Sequence, residues 1–107
     1  MNKKTKKGIS LSDIQLLSNT IYSTVESFID HAHGFDYKTI CMLEVMKQIK
    51  VKCDRKLASG IYREYYSLKL TEAEIAACMA FNKGLNNKGM IEAHNAVTRL
   101  LSINLKK

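Results

Sequence analysis

The 107-residue chain contains no proline, only five glycines and only three cysteines. Proline breaks helix interiors and glycine loosens them, so their scarcity permits long helices. Cys41, Cys53 and Cys78 are odd in number and have no paired spacing, so no disulfide framework is expected and a reducing cytoplasm fits best. The longest strictly apolar run, Ile75 to Phe81, spans seven residues, whereas a membrane span needs about 20. The lysine-rich start is not followed by an apolar stretch, so no secretory signal is expected. The G-x-S-x-G, phosphate-loop and H-E-x-x-H patterns are missing as well.

What is present is charge, placed at the ends. The formal net charge is +7, and Lys3, Lys4, Lys6, Lys7, Lys106 and Lys107 supply six of those charges. Residues 8–105 hold eleven basic against ten acidic side chains, so the body is close to neutral. The pattern predicts a flexible basic tail over residues 1–9 and a single domain over 10–105. Any affinity for nucleic acid or an acidic partner is expected to reside in Lys3, Lys4, Lys6 and Lys7. Lysine outnumbers arginine fourteen to three, alongside ten isoleucines and seven asparagines. AT-rich coding produces that bias, which is compatible with a phage or mobile-element reading frame and a cytoplasmic or virion location.

Apolar periodicity predicts an all-α fold. Ile14, Leu17, Ile21, Val25 and Phe28 share one face of a first helix over about 12–33, with Ser12 as cap and Gly34 as terminator. Asp36 caps a second helix from Tyr37, whose arc is Met42, Val45, Met46, Ile49, Cys53 and Leu57. Ile40 and Val51 lie off that arc, which marks them as an oligomer or partner surface. Ser59 and Gly60 interrupt the pattern. Residues 61–69 suit a short helix or an extended stretch equally well. Thr71 and Glu74 match the capping box, with Leu70 and Ile75 as a hydrophobic staple. The third helix is expected to run to about Lys83 and stop at Gly84, with Ala73, Ala76, Ala77 and Ala80 allowing close approach of a partner helix. A fourth helix places Met90, Ala93, Val97, Leu100 and Leu101 on one face. Leu11-Ser12-Asp13-Ile14-Gln15 parallels Leu70-Thr71-Glu72-Ala73-Glu74, and Tyr22 corresponds to Phe81. A compact antiparallel bundle of about four helices follows, built as two pseudo-repeated αα-hairpins.

The candidate chemistry is sparse. Asp30, His31, His33 and Asp36 are metal-ligand types, but histidines two residues apart on a helix diverge by about 200°. In the last helical turn they suit the helix dipole instead. His94 stands alone, and the cysteines fall in or near apolar stripes, where cysteine packs as a small hydrophobe. Glu72 and Glu74 are explained by the first turn of a helix. No metal, cofactor, small-molecule substrate or enzymatic activity is expected. Lys47, Lys50, Lys52, Arg55 and Lys56 form the internal basic run, of which Lys52, Arg55 and Lys56 are candidate phosphate contacts. Tyr62, Tyr65 and Tyr66 suit base stacking, a core or a protein interface, and with Ile40 and Val51 they are the candidates for an oligomer or partner surface.

Leu70, Thr71, Glu74, Gly84, Asn87 and Lys88 stand at the spacing with which a LuxR-type helix-turn-helix domain opens. Residues 70–91 thus resemble that family, which implies a small DNA-binding regulator. The family continues with a Ser-x-x-Thr-Val turn, which is missing here. The expected function is a non-enzymatic accessory or structural module acting through protein contacts or self-association. Its basic tail adds electrostatic attachment. The helix-turn-helix regulator is the alternative.

Overall fold

The structure, a computed structural model, describes residues 8–30 and 37–105. Four helices form the fold: α1 Leu11–Asp30, α2 Tyr37–Ala58, α3 Glu72–Asn87 and α4 Ile91–Leu105. Two short strands, β1 Ile9–Ser10 and β2 Tyr65–Tyr66, lie before α1 and between α2 and α3. The strands pair antiparallel, Ile9 opposite Tyr66 and Ser10 opposite Tyr65.

Side-chain pairs give the helix directions. Ser18 bonds Asp54, and one turn further along α1 Tyr22 meets Lys50, one turn earlier on α2. The two helices are therefore antiparallel. Lys52, late in α2, reaches Glu74 in the first turn of α3. Asn82 and Thr98 bond across the turn at 88–90, so α3 and α4 fold back side by side. Arg99 of α4 bonds Asp13 in the first turn of α1 and closes the ring. The result is an all-α antiparallel four-helix bundle.

Its core follows the apolar stripes. Ile14, Leu17 and Ile21 come from α1, and Met46, Ile49 and Cys53 from α2. Cys78, Phe81 and Leu85 come from α3, and Ala93, Ala96, Val97 and Leu100 from α4. Val25, Met42, Val45 and Leu57 pack against it from its edge. The capping box forms as its spacing predicts: the Glu74 amide donates to Thr71 Oγ1 at 3.2 Å, and the Thr71 amide donates to Glu74 Oε1 at 2.8 Å.

Several local expectations are corrected. Ile9, expected within the tail, is 2% exposed and belongs to the core. Ser10, not Ser12, caps α1: its Oγ accepts the Asp13 amide at 3.2 Å. The helix therefore starts at Leu11, and the Ser12–Thr71 equivalence fails; Tyr22 is exposed where Phe81 is buried. The repeat exists as two helix pairs, not as matching residues. Helix α3 passes through Gly84 and ends on Gly89, which takes φ +75°. There the Met90 amide reaches the Leu85 carbonyl at 3.0 Å and the Gly89 amide the Asn86 carbonyl at 3.1 Å, a Schellman closure. Among the α3 alanines Ala77 is buried, while Ala73, Ala76 and Ala80 are exposed. Met90 is exposed too. Residues 61–69 adopt the extended alternative. Gly34, Asp36, His31, His33, Lys3, Lys4, Lys6, Lys7, Lys106 and Lys107 lie outside the described residues, as does the Phe28 side chain.

Candidate functional site

The near-neutral total of the body hides a polarity. One end of the bundle gathers the start of α1, the end of α2, the extended segment 59–70, the start of α3 and the end of α4. The segment is pinned there by two polar anchors. Asn104 Oδ1 accepts the Leu70 amide at 2.8 Å, and its Nδ2 donates to the Leu68 and Leu100 carbonyls, each at 3.0 Å. Lys52 Nζ donates to the Lys69 carbonyl at 2.9 Å and to Glu74 Oε1 at 2.6 Å. Tyr66 closes the loop before it. Its hydroxyl donates to the Ile61 carbonyl at 2.9 Å and accepts the Arg63 amide at 3.1 Å.

This arrangement redistributes the expected contact residues. Lys52 is committed to Glu74 and works as a strut. Burial pushes the Glu74 carboxyl up, but the bonds from Lys52 and from the Thr71 amide together hold it below its ordinary value. Arg55 is exposed and Lys56 half-buried, and neither forms an ion pair among the described residues. Arg63 and Lys69, outside the internal basic run, join them. Arg55, Lys56 and Lys69 line one shallow hollow; Lys56 and Arg63 line its neighbour. Ser59 and Ser67 line both, so the two are continuous. Among the described residues no carboxylate lines either. Glu64 and Glu72 lie at the same end, outside both linings.

The tyrosines separate. Tyr66 is a core residue, 5% exposed, which corrects its reading as an interface residue. Its ring is buried because the β1–β2 pairing lays the segment against Ile9. Tyr65 is half-buried, and Tyr62 is 80% exposed. On α2, Ile40 and Val51 are exposed at 40% and 47%. Glu44 and Lys47 lie between them on that outward face and pair at 3.1 Å.

Of the other candidate chemistry, the Asp30, His31, His33 and Asp36 side chains lie outside the described residues. Among the described residues no group of three or more His, Cys, Asp or Glu side chains could hold a metal ion. His94 Nδ1 lies 3.4 Å from the Asn82 carbonyl oxygen, as a partly buried polar residue does. Burial pushes the Cys53 and Cys78 thiols up to about 12, which keeps them protonated. An apolar cleft of about 280 Å³ opens at the opposite end of the bundle. Leu43, Phe81, Leu85 and Met90 line it, and among the described residues Lys88 is its single charged group. Its described lining holds neither a nucleophile–base pair nor a carboxylate pair. Among the described residues no helix is long and apolar enough to cross a membrane.

Comparison with protein-family models, curated proteins and solved structures finds no match to this chain. The resemblance to a LuxR-type domain therefore rests on the capped start of α3 and the glycine spacing. The hairpin geometry differs from it: helix-turn-helix pairs cross at about 90–120°, whereas α3 and α4 lie alongside one another. The outward face of α4 carries Arg99 as its one cation, and Asp13 holds it at 2.6 and 2.8 Å.

Proposed function

We propose that this chain is a non-enzymatic helical accessory module that works through protein contacts, its partner being a second copy docked on the outer face of α2. The observation that carries this reading is the order of side chains on that face. At 3.6 residues per turn, Ile40, Glu44, Lys47 and Val51 fall within about 60° of arc, away from the core arc. An antiparallel copy related by a twofold axis at the level of Val45 and Met46 brings Ile40 opposite the copy's Val51. The same axis brings Glu44 opposite the copy's Lys47. Both pairings occur twice, so the surface is self-complementary, as a closed dimer requires. The contact is a single helix pair, short of the standard interface of about 800 Å² per partner, so the association is weak and reversible.

Sedimentation velocity over a concentration series tests it. Dimerisation is expected with the full chain and is lost in the Ile40→Asp/Val51→Asp variant. Glu44→Lys and Lys47→Glu each stay monomeric alone and associate when mixed, because the mixture restores opposite charges at both crossings. A monomer at every concentration, or no rescue on mixing, refutes this contact. Lys3, Lys4, Lys6 and Lys7 add electrostatic attachment to a nucleic acid, and deletion of residues 2–7 weakens that attachment. Three free thiols, two of them buried, favour a reducing setting, the cytoplasm or a virion. A helix-turn-helix regulator is less well supported, because α4 offers no free cation on its outward face.

A further inference from the structure

We infer that the folded body itself binds the phosphate backbone of nucleic acid, through the continuous hollow bordered by Arg55, Lys56, Arg63 and Lys69. The inference does not rest on self-association through α2. Seven described Lys and Arg side chains form no ion pair: Lys38, Arg55, Lys56, Arg63, Lys69, Lys83 and Lys88. Four of the seven border this one hollow.

Helix chemistry does not account for the grouping. Arg55 and Lys56 stand in the last turn of α2, where the exposed carbonyls favour cations. Arg63 and Lys69 lie on the extended segment, which has no helix dipole to complement. They reach the same surface because Asn104, Lys52 and the Tyr66 hydroxyl fix that segment against the bundle end. Like charges are thus held together by anchors that bring no net negative charge, the Lys52–Glu74 pair included, at an electrostatic cost that a polyanion relieves. The nearest buried carboxylate, Glu74, is spent on Lys52 and cannot neutralise them.

The lining also favours nucleic acid over an acidic protein. Ser59 and Ser67 offer hydroxyls of the kind that accompany Lys and Arg at phosphates. Lysine is depleted from protein interfaces but is a regular phosphate partner. Lys6 and Lys7 precede Gly8, which itself borders the hollow beside Tyr66.

The test uses fluorescence anisotropy with labelled 20-mer single-stranded and duplex DNA, and the matching RNA, across a salt series. The full chain and the chain lacking residues 2–7 are compared, each with and without Arg63→Gln/Lys69→Gln. Neither substituted side chain bonds another described residue, so unchanged thermal melts certify the fold. The double variant is expected to bind about tenfold more weakly at 0.1 M salt. Its slope of log affinity against log salt is shallower by about 2 on duplex, near 0.9 per lost phosphate contact. The loss persists in the shortened chain. Lys38→Gln/Lys83→Gln, which removes two cations elsewhere, leaves affinity and slope within twofold of the parent. Equal binding by parent and double variant overturns the inference, as does failure of the shortened chain to bind at all. Displacement by polyglutamate as effective as by DNA of equal charge assigns the surface to acidic proteins and overturns it too.

Discussion

Lys52 spans from α2 to α3 and sets its Nζ 2.6 Å from Glu74 Oε1, the carboxylate that also completes the α3 capping box. Glu74 is only 2% exposed. One buried charge therefore joins a helix start, a neighbouring helix and the carbonyl of Lys69. Removing the cation leaves that charge with the Thr71 amide alone. Lys52→Ala is expected to cost about 2–3 kcal/mol in urea unfolding, toward the low end for a broken buried pair because Lys52 itself is partly solvated. Glu74→Gln keeps the cap acceptor and removes the charge, so it costs about 1 kcal/mol.

The same contact sets the acid limit of stability. The carboxyls of Glu74 and Asp54 are both held below their ordinary values, Asp54 chiefly by the bonds from Lys50 and then from Ser18. A depressed carboxyl contributes stability above its unfolded pKa and loses it as pH falls through the folded value. Stability is therefore expected to be flat above about pH 5 and to decline below about pH 4.5, where the unfolded carboxyls begin to take up protons. In chemical denaturation at a series of pH values, Glu74→Gln shows a shallower acid decline than the parent. An equal slope in both proteins removes Glu74 from this role.

Asn104 anchors the extended segment with both ends of its amide, accepting from Leu70 and donating to Leu68 and Leu100. Asn104→Ala strands the Leu70 amide and the Leu68 carbonyl, both partly shielded from water, while the Leu100 carbonyl keeps its helical partner within α4. The expected cost is about 2–3 kcal/mol. Asn104→Asp keeps one acceptor but faces two carbonyls with a charge, so it is no milder at neutral pH. Amide hydrogen exchange at Leu70 separates this from a general loss of stability. Its protection falls in the alanine variant more than that of the α1 amides.

How far the chain could be read in advance depended on whether a contact was local. The stripes of α1 and α4 and the Thr71–Glu74 box are patterns within a turn or two of helix, and they were legible as such. Ser10 does not stand out in the sequence as the α1 cap because it serves two roles, ladder residue opposite Tyr65 and acceptor for Asp13. Tyr66 read as an interface residue because its neighbours Tyr62 and Tyr65 gave no helical or alternating period. Only the distant strand Ile9–Ser10 decides its burial. Gly84 read as a helix stop because glycine permits the left-handed turn without demanding it; Gly89 takes that conformation instead. The candidate surface was half legible. Arg55 and Lys56 sit in a visible basic run, whereas Arg63 and Lys69 join them only through the folding of segment 59–70.

Thiol chemistry offers a direct reading of the core. Cys53 and Cys78 are fully buried and pushed up to about 12, while Cys41 is exposed on α2. Thiolate is the reactive form, so burial slows Cys53 and Cys78 twice, by blocking access and by withholding the charge. At pH 8 an aromatic disulfide reagent is expected to modify one thiol per chain rapidly. The other two react only in urea, at the rate of global unfolding. Fast modification of all three in the native protein would contradict the packing of α2 on α3.

Two glycines predict opposite signs for the same substitution. A Cβ added at Gly8 meets the Tyr66 carbonyl oxygen at 2.6 Å, and that oxygen belongs to backbone in the β1–β2 pair. The strand cannot yield without disturbing Ile9, so Gly8→Ala is expected to destabilise by about 1–2 kcal/mol. Gly84 lies inside α3, has a helical backbone and would place its Cβ in open space. Alanine there restricts the unfolded chain and adds helix propensity, worth about 0.5–1 kcal/mol. Thermal melts of the two variants should therefore move in opposite directions. A destabilised Gly84→Ala would mean that the helix does not run through that residue, and that the third helix stops short of the turn at Gly89.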